Sequence, residues 1–486
     1  MAGSGEEVPP LGIAVRLSFG IGQIAEGLKT CVFGTYLLFY YNQVLGLSGD
    51  LAGLAIFIAL VFDAVTDPIA GSVSDRWQSK GGRRHPFMYA SAVPLGVCFV
   101  LLFTPIESVT GTQFSLFLWM VVLTIATRAS MTLYTVPHQA LGAELSTDYD
   151  ERTVLVALRH FFGAVGFILA YGFGYGYFFA SSEAFPNGQL NPAAYPPYAI
   201  TLGILMTLSI LITAFGTRSR IPYMPKAQVT EERIRARDVL GETLEAMRNK
   251  SFRWIMFGFI LFISAWGVAG VLGIYVYTFF WELTVIQILF VSLMLPIGSM
   301  GGYALSKVYF AWLDKKNAMI AAGIVWMFIH AIPVGAYVMG WAPDTGTWGA
   351  AVFLAIVTIF SGMVVGQVIV GIGTAMADIA DENELDSGRR QEGVFFGASS
   401  FANKCSAGVG TLLAGRVLEI IEWPTGGAVK SAADIAPETV FNLALVAGPV
   451  IGLLVIPAVL CLQGYALNRE RLEEIQSELR SRALAN

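Results

Sequence analysis

Residues 50–75, DLAGLAIFIALVFDAVTDPIAGSVSD, form an apolar run that carries two acids, Asp63 and Asp67. A helix of ~20 residues crosses the hydrocarbon core of a bilayer, so this stretch is long enough to span it. An ionised side chain placed there costs several kcal/mol, ~3 per residue on insertion scales, which makes each acid a functional candidate. Spaced at i and i+4, the two carboxylates share one helical face with their Cβ atoms ~6 Å apart. Two bare carboxylates so close in a low-dielectric site repel, so either one takes a proton or a cation sits between them. That is the chemistry of a coupling-ion site. Thr66 adds a hydroxyl beside Asp67, and Pro68 removes a backbone donor and loosens the helix. The alternative is that both acids pair with cations of neighbouring helices simply to hold the bundle together.

The remainder of the chain has the same character. Of 486 residues, 55% are hydrophobic and 13% charged, with 52 Gly and 33 Phe, and the mean hydropathy is +0.63. Soluble domains carry about 25% charge, so a soluble protein of this length is excluded. The net charge of -5 says little about partners, because in a membrane protein the position of charge along the chain decides. No basic patch points to nucleic acid. Cys31, Cys98, Cys405 and Cys461 all fall in apolar segments without paired spacing or a histidine motif, and read as packing residues rather than a disulfide framework or metal site.

Long apolar runs predict twelve spans, at 17–41, 50–75, 87–106, 112–143, 155–180, 196–216, 252–281, 284–306, 318–341, 347–377, 393–421 and 436–465. With both termini placed in the cytoplasm, most of the 30 Lys and Arg residues lie in cytoplasmic segments. Lys430 is external, and Lys29, Arg128, Arg159, Lys404 and Arg416 lie within spans. This asymmetry sets the orientation. Residues 1–16, with Glu6, Glu7, Pro9 and Pro10, lack the features of a cleavable leader and read as a cytoplasmic tail. Residues 17–216 and 252–465 then form two groups of six spans. The polar stretch 217–251 joins them, with Leu240, Leu244 and Met247 at helical spacing on an interfacial helix. In the cytoplasmic tail 466–486, Leu472, Ile475 and Leu479 recur in the same way, which reads as a solvated amphipathic end needing no partner.

Two pairs of loops echo each other. GSVSDRWQSKGGRR sets Asp75 against Asp314 of LSKVYFAWLDKKN, and AELSTDYDER sets Glu144 against Asp378 of ADIADENELDSGRR at nearly the same offset. Such a duplication implies paired six-helix bundles with the transport path between them, the plan that major-facilitator transporters share.

The other intramembrane charges extend the candidate site. Lys404, amid the small residues of SSFANKCSAGVG, must face a cavity or a carboxylate. It can bind an acidic or hydroxyl-rich substrate, exchange partners with the aspartates, or form a fixed interhelical pair. Arg128 has no partner evident from the sequence. Glu26 and Lys29 share a face at i,i+3 and can satisfy each other. His138, His160 and His330 read as packing or hydrogen-bonding residues more readily than as proton carriers. Gly20 and Gly22, like Gly408 and Gly410, read as sites of close helix contact.

FDAVTDPIAGSVSDRWQSKGGRRHPF (62–87) resembles the glycoside-pentoside-hexuronide:cation symporter family, the melibiose-permease-like carriers of the major facilitator superfamily. The resemblance continues in LSFGIG (17–22), VPHQALGAELSTDYDERT (136–153) and MADIADENELDSGRRQEGVFFGASSFANK (376–404), so it spans both halves in order. It implies a twelve-helix transporter working by alternating access, with a cation site of Asp63, Thr66, Asp67 and the fourth-helix Thr132 beside a central substrate site, and Lys404 linking the two. At substrate positions the chain departs from the family pattern. The helix-one Lys-Asp pair becomes Glu26 and Gly27, the helix-four aspartate becomes Thr135, the stacking tryptophan becomes Gln139, and the helix-five arginine falls at His160 with Arg159 beside it. A galactoside pocket is therefore not expected.

Asp75-Arg76, Arg83-Arg84, Asp150-Glu151-Arg152 and the acids and arginines Asp378, Asp381, Glu384, Arg389 and Arg390 resemble the family's gating motifs. Single surface pairs are worth ~0–1 kcal/mol, so only a network biases a conformational equilibrium.

The expectation is an all-α polytopic symporter, monomeric, in a bacterial-type inner membrane. It would move a small polar solute, a sugar or glycoside, with Na⁺ or H⁺ as coupling ion and no other cofactor. One rival keeps the fold and carries lysophospholipid, with Lys404 receiving the phosphate. A remoter one reads DxxxD as the Mg²⁺-diphosphate motif of an intramembrane prenyltransferase, but Gly71 stands where its third acid belongs.

Overall fold

The computed structural model describes residues 10–146, 148–224, 241, 247–387, 392–426, 429 and 431–485. It is helical nearly throughout. Ten helices among the described residues are long and apolar enough to cross a membrane, where the sequence predicts twelve. The two that do not qualify are the predicted first and eleventh spans. The first is broken at Gly22 into α1 (Ile13–Ile21) and α2 (Gln23–Thr35). The eleventh is one helix of 29 residues, Glu392–Ile420 (α12), whose apolar character is diluted by Lys404, Arg416 and many small residues.

The break in the first span has a tertiary cause. Thr213 donates to the carbonyl of Ser18 at 2.6 Å, and His138 Nε2 lies 2.9 Å from the carbonyl of Phe19. Carbonyls freed by the break thus find side-chain partners, as buried backbone groups in a membrane must. His138 is stacked between Phe19 and Tyr134, in a packing role.

Between α2 and α12 the chain runs through α3 (Gly49–Arg76), α4 (His85–Leu102), α5 (Gln113–Leu145), α6 (Tyr149–Phe173), α7 (Tyr195–Gly216), α8 (Lys250–Tyr275), α9 (Val285–Leu313), α10 (Lys315–Val338) and α11 (Trp348–Ser387). After α12 come α13 (Pro437–Leu445), α14 (Val455–Gln463) and α15 (Arg469–Ala485). Side-chain caps start several of them: Thr112 accepts from the Ser115 amide, Asp148 from Glu151, Asn249 from Phe252, and Thr284 closes a capping box with Gln287. Among the described residues four π-helical turns, Tyr40–Val44, Gly174–Phe178, Val276–Phe280 and Val446–Val450, interrupt or extend the α-helical runs.

The chain divides into two compact units. The first comprises Met1–Leu37, Val65–Phe178 and Asn191–Ala236. In it α2 packs along α6 and α4 lies between α5 and α7. Glycines set the spacing: a Cβ at Gly27 would stand 2.2 Å from the Gly163 carbonyl, and one at Gly166 would stand 2.6 Å from that of Ile24.

The second unit comprises Leu38–Ala64, Phe179–Leu190 and Arg237–Asn486. In it α9 packs along α11 and α8 along α12. Gly298 and Gly302 bring the α9 backbone against Ile359 and Met363, where a Cβ would sit 2.1 Å from either carbonyl. Many large apolar side chains stay exposed, among them Phe114, Met300, Ile356 and Leu460. That pattern suits helices whose outer faces meet lipid rather than water.

The tail departs from expectation. α15 is not simply solvated but lies on α11: Ile475 is fully buried, Gln476 donates to Asp381 at 3.2 Å, and Arg482 donates to the Leu385 carbonyl at 2.9 Å. Covering Leu472 and Ile475 removes apolar surface from water at ~25 cal/mol per Å², which makes docking favourable. Most of the predicted linker helix lies outside the described residues.

Candidate functional site

Asp63 and Asp67 stand one turn apart on the unbroken helix α3. Asp63 is buried, and within the second unit its Oδ2 lies 3.6 Å from Lys404 Nζ on α12. Asp67 is half-buried. Within the first unit its Oδ1 accepts a hydrogen bond of 2.7 Å from the hydroxyl of Thr132 on α5. Thr66 is half-buried on α3 between the acids. The two carboxylates therefore have partners of different kinds, a cation for Asp63 and a hydroxyl for Asp67. A hydroxyl can only donate to an ionised carboxylate, whereas an ammonium also brings charge.

One turn beyond Thr132, Thr135 donates to Glu26 Oε2 at 3.2 Å. The other oxygen of Glu26 receives Lys29 at 2.9 Å and Thr30 at 3.1 Å. Helix α5 thus offers one threonine to an acid of α3 and another to an acid of α2. Arg128, on the same helix and 8% exposed, holds its guanidinium 5.3 Å from the centre of the Phe33 ring, within cation–π range. Gln139 and His160 are exposed and Arg159 is half-buried.

The gating candidates fall into clusters within each unit. In the first, Arg84 is buried and donates to Asp75, to Ser74 at 2.6 Å and to Glu144 at 2.8 Å, while Arg83 reaches Glu144 at 2.8 Å. Glu151 accepts from Arg16 at 2.8 Å and Ser146 at 2.6 Å, and Arg152 donates to the Ser146 carbonyl at 2.7 Å. In the second unit, Lys315 pairs with Asp378 at 2.5 Å, and Asn249 and Ser251 both donate to Glu382. Asp381 receives Gln476, and Arg76 and Glu384 lie on the ends of α3 and α11. Arg389, Arg390 and the side chain of Asp150 lie outside the described residues.

A family model described as MFS/sugar transport protein matches residues 18–469. The chain belongs to that family. It is a glycoside-pentoside-hexuronide:cation symporter of the major facilitator superfamily, a multi-pass membrane transporter. The isoprimeverose transporter of Lactiplantibacillus pentosus is 24% identical to this symporter over 87% of the chain and 82% of its own length. The putative glycoside/cation symporter YagG of Escherichia coli (strain K12) is 22% identical over 96% and 94%. The solved nucleoside transporter NupG superposes with a TM-score of 0.60 at 15% identity, covering 93% of this chain and 99% of its own, a likeness of fold alone. These relatives are carriers and not enzymes, which removes the prenyltransferase reading, and they do not favour the lysophospholipid one.

Sequence reasoning missed a second polar cluster of the symporter, within the second unit. Arg416 pairs with Asp50 at 2.7 Å, Glu419 accepts from the Gly49 amide at 2.7 Å, Trp423 donates to Gln43 at 2.7 Å, and Tyr275 donates to Asn42 at 2.9 Å. Asn42 and Gln43 are fully buried amides at the end of a long apolar run. That signal was available, since a buried amide needs a partner.

Proposed function

We propose that this symporter couples entry of Na⁺ or H⁺ to movement of a small polar organic solute, a sugar or glycoside, by alternating access of two six-helix bundles, residues 17–216 and 252–465. The coupling ion binds at Asp63 and Asp67 with Thr66 and Thr132 as neutral oxygen ligands. Lys404 is the link: it pairs with Asp63 while the ion is absent and turns to the solute once the ion has neutralised the acids. The observation that carries this reading is the pair of carboxylates one turn apart on a membrane helix, with a lysine facing one and a threonine hydroxyl donating to the other. An ion that binds one conformation more tightly shifts the population toward it, which is all that coupling requires.

On this reading Glu26, Lys29, Arg128, Thr135, Gln139, Arg159, His160 and Lys404 contact the solute. Glu26 and Thr135, already bonded to each other, would exchange that bond for sugar hydroxyls. The clusters around Arg84, Glu151 and Lys315 serve as gates, and both termini are cytoplasmic in an inner membrane. The test is uptake into proteoliposomes with imposed Na⁺ or H⁺ gradients, over a panel of labelled sugars and glycosides. Asp63→Asn and Asp67→Asn should each abolish gradient-driven accumulation while the protein remains folded. Undiminished accumulation in both would end the proposal.

A further inference from the structure

Helix α10 packs against the last span, Pro437–Gln463, on both sides of a break in that span. Above it they touch through glycines, where a Cβ at Gly448 would lie 2.9 Å from the His330 carbonyl and one at Gly452 would lie 2.7 Å from that of Met327. The second helix then breaks. The Leu454 amide reaches back to both Val450 and Ile451, at 3.3 and 3.1 Å, and α14 begins anew at Val455. Below the break a groove of about 140 Å³ opens between the helices, lined by Gly323, Ile324, Met327, Val455, Val459 and Leu460. A smaller cleft, which includes Met319 and Leu462, shares Gly323, Val455 and Val459 with it.

No lining residue offers a polar side chain, so water in the groove would lack hydrogen-bond partners. Ile324 and Leu460 are 41% and 57% exposed, so the groove opens on the face that hydrocarbon covers. At water's share of ~30 Å³, the space corresponds to a segment of roughly five methylene-sized groups. Beside Leu462 in the chain, the Gln463 carbonyl receives a cation. Lys316 donates to the Gln463 carbonyl at 2.7 Å, just beyond Leu462, and makes no ion pair among the described residues, whereas its neighbour Lys315 is taken by Asp378.

We propose that this groove holds one acyl chain of an anionic phospholipid whose phosphate is bound by Lys316. Apolar shape and a basic residue at one end match a charged headgroup on a hydrocarbon chain, and basic sites between membrane helices are where such headgroups bind. The chain would fill the lateral groove left beside the close contact of Gly323 with Val459.

The full-length protein, purified in detergent, is titrated with phosphatidylglycerol or phosphatidylcholine while its thermal unfolding midpoint is followed. Phosphatidylglycerol should raise the midpoint at the lower concentration. Lys316→Gln should raise its half-saturating concentration about five-fold, toward that of phosphatidylcholine. Phosphatidylglycerol with a photoreactive group in its acyl chain should label peptides containing Ile324, Met327 and Leu460. Leu460→Trp, at an exposed position that need not disturb folding, should reduce that labelling. Equal response to the two lipids, indifference to Lys316→Gln, or labelling spread evenly over the outer helices would each overturn the assignment.

Discussion

Lys404 Nζ lies 3.6 Å from Asp63 Oδ2, within the reach of an ion pair. Removing one partner of a buried ion pair is costly, ~3–5 kcal/mol, whereas removing both costs far less. Lys404→Gln and Asp63→Asn should therefore each lower thermal stability, and the double variant should regain most of it. Accumulation of solute should stay absent in all three. Additive losses of stability would show that the two groups do not interact.

The Thr132 hydroxyl is a donor to Asp67. Hydrogen bonds to charged groups contribute ~1.5–3 kcal/mol. Thr132→Val should then raise the cation concentration for half-maximal uptake by about ten-fold or more, with Thr132→Ser close to the parent. An unchanged cation dependence in the valine variant would remove Thr132 from the ion site.

Arg84 joins Ser74, Asp75 and Glu144, while Arg83 touches Glu144 alone among these. Arg84→Gln should destabilise by ~3 kcal/mol, because Glu144 is also largely buried and loses its better partner. Arg83→Gln should cost ~1 kcal/mol or less. Thermal melts of the two purified variants would rank them, and the reverse order would contradict this hub.

Gly22 sits where the first span breaks. A Cβ there would stand 1.9 Å from Tyr134 Oη and 2.3 Å from Thr213 Oγ1. Gly22→Ala should cost ~1–3 kcal/mol as an overpacked site, and adding Tyr134→Phe should recover part of that. A fully stable alanine variant in thermal unfolding would mean the break has room to spare.

Much of the fold can be read from the chain because hydrocarbon imposes long apolar runs, and ten of the twelve predicted spans are helices of suitable length and composition. Local relationships were equally legible: Glu26 and Lys29 pair because they are three residues apart on one helix. So was the loop echo. Arg84 with Glu144 and Lys315 with Asp378 repeat one theme, a base in one of the echoing loops reaching an acid on a later helix.

What escaped reading depends on distant partners. The break at Gly22 is secured by Thr213 and His138, nearly 200 and over 100 residues away, and the docking of Ile475 depends on the far end of α11. No window of neighbouring residues carries such facts. Helix α12 failed as an apolar span for the same reason that it is interesting: Lys404 and Arg416 find their acids on α3, out of sight of any hydropathy sum.

The π-helical turns carry a consequence for kinship. Each holds one residue more than an α-helical turn would, which rotates everything beyond it by about 100° relative to the stretch before. A relative lacking the extra residue at Tyr40–Val44 or Val276–Phe280 would keep its helix and lose the bulge. Single-residue gaps between homologues should therefore gather at these turns, marking where old insertions were absorbed without dismantling a membrane crossing.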